Sequence, residues 1–586
     1  MLWLLVPLAV ALPSTSGRAD EAFFWNVTDA AISYEEQVAA FAAQGLMNRA
    51  SGPLLFFAVG LEDYDWPQAE PFWRRTLEKQ GRVRFTTLPS SFCSVITTSK
   101  SVLDGLVVYS DSGRTLFGDG YSIAIALTIA AQRSLLPVSS SMLAKHGCLS
   151  SMAVKHDLRR TLLGKTRQQA WDWAIRSLLP SSSKAVVFNL NKYRVAGDPV
   201  AFLHDKQSNA TALSIDYVVQ QNAFVMDLES HDSAAGNRWT RPWNGDDELI
   251  ERVFAALEPL FDAYGWADDE FSWTNETSHF GGTVMCSFAS PNLSFWAKLK
   301  LPGEAARARK LPTHDRGVQL ARSKYYVTFE TNEGDTPRIL VSAMAHAWAS
   351  PKRGSLPIAW AIDPLLARRF PALFDFYAAT ASVNDSFIAG TAGAGYAYLN
   401  QMSASQLDTY GRRVGELTST YGPSVIDTYG YANVSTHDAY AKAIAAGGGL
   451  PAAFISQPNW EFNFTWDYLP FRCGMDSGDN LLLDDGRTPL ICASGSPALF
   501  YPELSDQCPS CDLAGRIKAV AAKHKPPFFI VVYGNLQAFG GSEATSAKNF
   551  FTLLGDTVAQ LDGRFEVIGA ADMARLSQEA LTSIPN

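Results

Sequence analysis

The chain has 586 residues, of which 47% are hydrophobic, 12% aromatic and 18% charged, with a formal net charge of −9. Single hydrophobic cores stop growing at about 250–300 residues, so this length requires several domains, and the apolar content excludes a disordered chain. The acidic balance lacks the basic footprint that a phosphate backbone requires, which excludes nucleic acid as a partner.

The apolar run from Met1 to Leu12 is too short to span a bilayer and is followed by small residues up to Ala19. This pattern predicts a secretory signal peptide over 1–19, cleaved before Asp20. Seven Asn-x-Ser/Thr sequons, at Asn26, Asn209, Asn275, Asn292, Asn384, Asn433 and Asn463, predict N-linked glycans on a secreted or lysosomal, endomembrane-lumen protein. No transmembrane segment is expected, since the most apolar later stretch, Ile123 to Ala131, is also too short. Among the seven cysteines, Cys473/Cys492 and Cys508/Cys511 read as staples on long loops, and the odd count leaves at least one unpaired. Cys508-Pro-Ser-Cys511 has no second pair beside it, so a structural disulfide is favoured over a redox or zinc pair.

In chain order, an amphipathic helical run from Glu35 to Asn48 leads into a buried-strand pattern, Pro53 to Ala58. The alternation continues with a strand at Leu103–Tyr109, helical patterns at Ser122–Gln132 and Leu158–Leu179, and a strand at Ala185–Leu190. These read as small α/β layers, and Gly236 to Gly245, rich in turn formers, reads as a junction. Thereafter, runs suited to strands start near Tyr325, Pro357, Ser386, Ser424, Ala452, Pro489, Phe528 and Phe565, at separations of 28 to 39 residues. Eight such units match a TIM-like β/α barrel, although an open doubly wound sheet has the same alternation.

A barrel builds its site from the loops after its strands, so acids and aromatics at those places carry the information. After Phe329, the stretch Glu330-Thr-Asn332-Glu333-Gly-Asp335 holds three carboxylates within six residues. Cleaving a glycosidic bond needs a proton donor and a second carboxylate, and such a loop can supply one; it can equally be a solvated turn. Glu461 lies beside Trp460, and an indole face can raise an acid's pKa, though the cluster can also anchor its loop. Asp427 and Asp363 sit at strand ends, where either can also cap a helix. Asp385 precedes its strand and reads as structural. In Gly393-Ala-Gly395-Tyr396-Ala-Tyr398 the glycines permit sharp turns, and the two tyrosines would project together as a sugar platform if extended. Only nine histidines are present, none in a zinc-protease arrangement, so no metal or cofactor is expected.

Gly393-Ala-Gly-Tyr-Ala-Tyr398 resembles the signature of the GxGYxYP family of putative glycoside hydrolases, with Leu399 in place of the closing Pro. Further stretches resemble the family in order: Ala43 to Arg49, Gly105 to Tyr109, Leu136 to Val138, Asp216 to Phe224, Tyr264 to Glu270 and Asn292 to Ser294. The resemblance implies three small N-terminal α/β modules before a barrel-like domain. With the junction above, this divides the chain at 20–98, 99–155, 156–245 and 246–586. The family's Asp-Gly-Asp-Asn loop aligns with Glu333-Gly-Asp335-Thr336, and the resemblance also draws attention to Glu270 and Asp385.

The resulting expectation is a glycoside hydrolase with Asp335 and Glu461 as leading catalytic carboxylates and Glu333 and Glu270 in reserve. Tyr396, Tyr398, Trp460, Asn332, Gly393 and Gly395 would contact a carbohydrate substrate. A non-catalytic carbohydrate-binding protein and a polysaccharide deacetylase or esterase stand as alternatives.

Overall fold

The computed structural model describes residues 19–27, 32–59, 69–110, 121–190, 213–228, 246–265, 270–287, 290–302, 305, 307–331, 336–429, 432–456, 480–492, 498–499, 512–534, 536 and 546–583. The expected signal peptide up to residue 18, the sequons Asn209 and Asn463, and Cys473, Cys508 and Cys511 lie outside them. Among the described residues, no helix is long and apolar enough to cross a membrane.

The first unit is a parallel sheet of β1 (Asp20–Asn26), β2 (Leu54–Ala58) and β3 (Val83–Thr87) in the order β2-β1-β3. Its helix Tyr34–Arg49 starts at a capping box, in which the Ser33 hydroxyl accepts from the Glu36 amide and the Glu36 carboxylate accepts from the Ser33 amide. Every residue from Glu36 to Asn48 is buried, so this helix is not the one-sided surface helix expected. Its small residues permit burial on all sides. A Cβ on Gly45 would lie 2.1 Å from the Asp216 carbonyl oxygen, which shows how closely another segment passes.

The second unit joins β4 (Gly105–Tyr109), β5 (Leu135–Ser139) and β6 (Val154–Asp157) in the parallel order β5-β4-β6. Pro137 is tolerated because β5 is an edge strand. A disulfide from Cys93, in the helix Phe92–Ser99, to Cys148 ties the first two units together. The third unit contains β7 (Val186–Asn189), β8 (Phe224–Met226), β9 (Asp262–Gly265) and β10 (Thr283–Met285), in the parallel order β10-β9-β7-β8. Strands on both sides of residue 245 therefore share one sheet, so the Gly236–Gly245 stretch does not separate the third unit from the next. The helical run expected over Leu158–Leu179 is two helices, Leu158–Thr161 and Arg167–Ser177.

The C-terminal half has strands at all eight expected positions: β11 (Tyr325–Thr331), β12 (Ile358–Ala361), β13 (Asp385–Ile388), β14 (Val425–Thr428), β15 (Ala453–Ser456), β17 (Pro489–Cys492), β19 (Phe528–Gly534) and β20 (Phe565–Val567). Short strands β16 (Leu481–Leu482) and β18 (Ala498–Leu499) accompany them. Pairing gives two sheets, β13-β12-β11-β19-β18 with β20 on β11, and β14-β15-β17-β16. They meet at the Ala389–Ile426 bridge, where the Ala389 amide donates to the Val425 carbonyl at 2.8 Å and the Asp427 amide to the Ala389 carbonyl at 3.0 Å. β19 pairs with β11 along its whole length, leaving β20 and β12 to share the other edge; β20 takes Tyr325–Val327 and β12 meets Glu330. The short β20 thus does not fill an independent position beside β19.

Strand alternation puts Tyr326, Ala359, Ile388, Val425, Ala453, Ile455, Phe529 and Val531 into one buried cluster shared by both sheets. The last helix, Ala570–Thr582, adds Met573, Ala574 and Leu576 to that cluster, and the Ala570 amide donates to the Ser386 hydroxyl at 3.0 Å. It packs against the amino-terminal side of the strands, where Ser386 is the second residue of β13.

Candidate active site at the carboxyl ends of the strands

The loop after β13 turns through residues with positive φ: Ala392 at 63°, Gly393 at 95° and Gly395 at 96°. Glycine is required at Gly395 on two counts, because an added Cβ would also lie 2.4 Å from the Thr283 hydroxyl oxygen of β10. The loop is fastened by buried donors and acceptors. Asp363 accepts from the Gly395 amide at 2.6 Å and from the Leu365 amide at 2.8 Å. The Tyr410 hydroxyl accepts from the Ala394 amide at 3.1 Å and donates to the Gly395 carbonyl at 2.9 Å, while the Tyr440 hydroxyl donates to the Ala392 carbonyl. Tyr396 exchanges two backbone bonds with Val284, so the signature loop docks on the third unit. Burial pushes the Asp363 carboxyl up to about 7, opposed by its two backbone donors and the nearby Arg413 charge.

The tyrosines do not form the expected platform. Tyr396 and Tyr398 are 3% and 1% exposed, and their rings meet edge to face at 87°, with centroids 5.7 Å apart. Tyr396 bridges to Val284 and Tyr398 to Tyr429, so the two residues are held by different segments and their rings cross instead of lying in one plane. Tyr396 also packs edge to face on Tyr429. Gly393 and Gly395 accordingly serve docking: a Cβ on Gly393 would lie 2.9 Å from Val414.

Two acids occupy the sheet face that carries the shared cluster. Glu330 follows Tyr326 by four residues on β11 and Asp427 follows Val425 by two on β14, so each continues the inward row toward the carboxyl end. Glu330 is 1% exposed and Asp427 is fully buried. Glu330 pairs in register with Tyr533 of β19, itself 2% exposed. Inward alternation was the signal that could have ranked these two above the loop acids. Composition of the following loop drew attention away from Glu330, and the helix-cap alternative from Asp427. Asp385 is structural, as expected: it accepts from the Trp360 indole at 2.8 Å and the Ser382 amide at 2.7 Å, and pairs with Arg353.

Asn332, Glu333, Asp335, Trp460 and Glu461 lie outside the described residues. Glu270 opens the helix Glu270–His279 on the third unit. Among the described residues, no three His, Cys, Asp or Glu side chains group as a metal site.

Three of the stretches that carried the family resemblance, Ala43 to Arg49, Asp216 to Phe224 and Asn292 to Ser294, meet elsewhere, in a buried polar joint between the first and third units. Asn292 accepts from the Phe57 amide at 2.7 Å and from the Gln44 amide at 2.8 Å, and donates to the Phe57 carbonyl at 2.8 Å. Asn48 donates to the Ser294 hydroxyl, which in turn donates to Asp216 at 2.6 Å. Burial pushes the Asp216 carboxyl up to about 7 despite those donors. Asn292 is 1% exposed and fully engaged, so this sequon is not a glycan site on the folded surface.

Comparison with known proteins agrees with this arrangement. The family model described as "GxGYxYP putative glycoside hydrolase C-terminal domain" matches residues 323–466, and the "GxGYxYP third domain" matches residues 200–298. The fold is similar to that of a solved "putative hydrolase from Bacteroides thetaiotaomicron VPI-5482", with a TM-score of 0.71 at 16% identity over 96% of each chain. No curated protein matches the chain. The signature loop lies inside one matched domain and its docking strand β10 inside the other, so the chain carries two adjoining domains that match the GxGYxYP family.

Proposed function

We propose that the chain is a glycoside hydrolase that cleaves an extracellular or lysosomal glycan with a pair of carboxylates. The observation that carries this reading is the placement of Glu330 and Asp427, two buried acids on one sheet face, at the strand ends opposite the last helix. The family's description as putative glycoside hydrolases supports the same chemistry. The strand order, continued through the Ala389–Ile426 bridge, supports a TIM-like β/α barrel, in which sites form at that end.

In this mechanism a protonated carboxyl donates to the leaving oxygen, while a carboxylate attacks the anomeric carbon or activates water. Asp427, at the carboxyl end of β14, takes the acid role, and Glu330 lies on the inward row of β11. Asp335 and Glu333, following Glu330 on the next loop, and Glu461 beside Trp460 are the candidate partners, with Glu270 in reserve. Asn332 and Trp460 would bind sugar hydroxyls and faces, and the reaction needs no metal or cofactor. A carboxylate separation of about 5–5.5 Å gives retention and about 6.5–9.5 Å inversion.

The test is a glycan panel assayed for reducing ends and acetate in parallel. Reducing ends released by the wild type and lost in Asp335→Asn or Glu461→Gln support the reading. Acetate release without reducing ends would replace it by a deacetylase or esterase. Glycan binding unaccompanied by release of either would replace it by a carbohydrate-binding protein.

A further inference from the structure

A cleft with a volume of about 610 Å³ lies where the third unit meets the C-terminal half. One wall comes from the turn before β9, with Glu258 and Leu260; the other carries Arg368 and Arg369 from the helix Leu366–Arg369, and Arg412, Arg413 and Glu416 from the helix Ala404–Tyr421. None of the strand-end acids lines it.

The charges in this cleft are unevenly compensated. Toward the rim, Arg368 pairs with Glu416 at 2.5 Å and Arg412 with Asp408 at 2.8 Å, all four side chains at least 39% exposed. Deeper, two guanidiniums share a single buried carboxylate: Asp262 lies 2.6 Å from Arg369 Nε and 3.4 Å from Arg413 Nη2. Arg413 spends its other terminal nitrogen on the Leu260 carbonyl at 2.7 Å. Arg369 meets Asp262 through Nε, which leaves its two terminal nitrogens outside that ion pair, and the Tyr217 and Tyr264 phenols lie nearby. The two guanidiniums thus outnumber Asp262 at the less solvated end, where screening is weak, and the Asp363 carboxyl near Arg413 offsets part of that excess; Glu258 and Glu416 are exposed to solvent.

We propose that this cleft binds a small ligand through a single anionic group, a carboxylate or a sulfate ester, held by Arg369 and reached by Arg368 and Arg412. Guanidinium forks match planar or tetrahedral oxyanions, and the volume suits a ligand the size of one or two sugar rings. An excess of at most one positive charge favours a monoanionic group, because a second negative charge would face Glu416 and Glu258. Glu416 competes with the ligand for Arg368. Ligand in this cleft would touch both halves of the molecule, and its wall at Leu365 is bonded to Asp363, which holds the signature loop.

The test is isothermal titration of the full chain with glucuronate, glucose 6-sulfate and glucose, none of which contains a glycosidic bond, so binding is read apart from hydrolysis. At least one anionic probe is expected to bind with a submillimolar Kd and glucose to bind at least tenfold more weakly. The double variant Arg368→Gln/Arg412→Gln changes only exposed side chains and leaves Asp262 paired; it should weaken the anionic probe about tenfold. Glu416→Gln should tighten it about threefold by releasing Arg368. Absence of binding by both anions, equal binding of glucose, or unchanged affinity in the double variant would overturn the proposal.

Discussion

Replacing Gly395 by Ala should loosen the joint between the signature loop and the third unit. The residue has φ of 96°, and the new Cβ would lie 2.4 Å from Thr283 Oγ1 and 2.6 Å from Thr283 Cβ. The backbone strain costs about 1–3 kcal/mol and the overpacking about 1–3 kcal/mol, for a combined loss of roughly 2–6 kcal/mol. Movement of the loop would relieve this by breaking the paired bonds between Val284 and Tyr396, at 2.8 and 2.9 Å. Even the lower limit corresponds to about 30-fold in an opening equilibrium. Hydrogen exchange followed by mass spectrometry should therefore show peptides over Val284 and Tyr396 exchanging at least about 30-fold faster. Gly555→Ala, in the helix Ser546–Gln560 with nothing near its Cβ, is the control and should be neutral or stabilising. Adding Thr283→Ala removes the hydroxyl clash but leaves the Cβ contact, so it should restore part of the protection. Unchanged exchange in Gly395→Ala would refute the reasoning.

Three further outcomes follow from the same geometry. Asp216 and Asp363 are both raised from 3.8 to about 7, so the folded state holds their protons more tightly than the unfolded chain. Their contribution to stability is greatest below pH 4, falls as pH rises toward 7 and levels off above it, a span of roughly 4 kcal/mol for each group. Melting of Asp216→Asn or Asp363→Asn should show a shallower loss than the wild type between pH 5 and 7.5; parallel curves would contradict the assignment. The Cys93–Cys148 disulfide closes a loop of sequence separation 55, so Cys93→Ser/Cys148→Ser should lose about 4 kcal/mol in denaturant titrations. Mass spectrometry of protein from a secretory host should find Asn433, which is exposed, carrying a glycan and Asn292, which is buried, unmodified.

The spacing of apolar runs was enough to read all eight strand starts of the C-terminal half, because each strand is a short buried run between helices. Their pairing was not legible. That β20 shares an edge of β11 with β12 depends on where three-residue and four-residue strands end, which no pattern in the sequence encodes. The helix Tyr34–Arg49 looked one-sided because Glu35, Glu36 and Gln37 open it, whereas its small residues let Asp216 cover a further face. The tyrosine geometry was not legible because alternation fixes the side of the chain on which two residues lie but not how their rings turn, and these two buried rings meet edge to face. For Asp363 the sequence leaves a strand-end acid and a helix cap both open; its bond to Gly395 joins residues 32 apart and becomes visible only in the fold.

The central claim is that buried acids at the strand ends perform glycosidic cleavage while the signature tyrosines hold the loop in place. The most direct measurement is the rate of reducing-end release by Asp427→Asn on a glycan that the wild type cleaves, with folding checked by melting. The account predicts a rate reduced by at least about 100-fold in a folded protein, as expected for removal of a general acid or base. A folded Asp427→Asn variant that cleaves at the wild-type rate would contradict it.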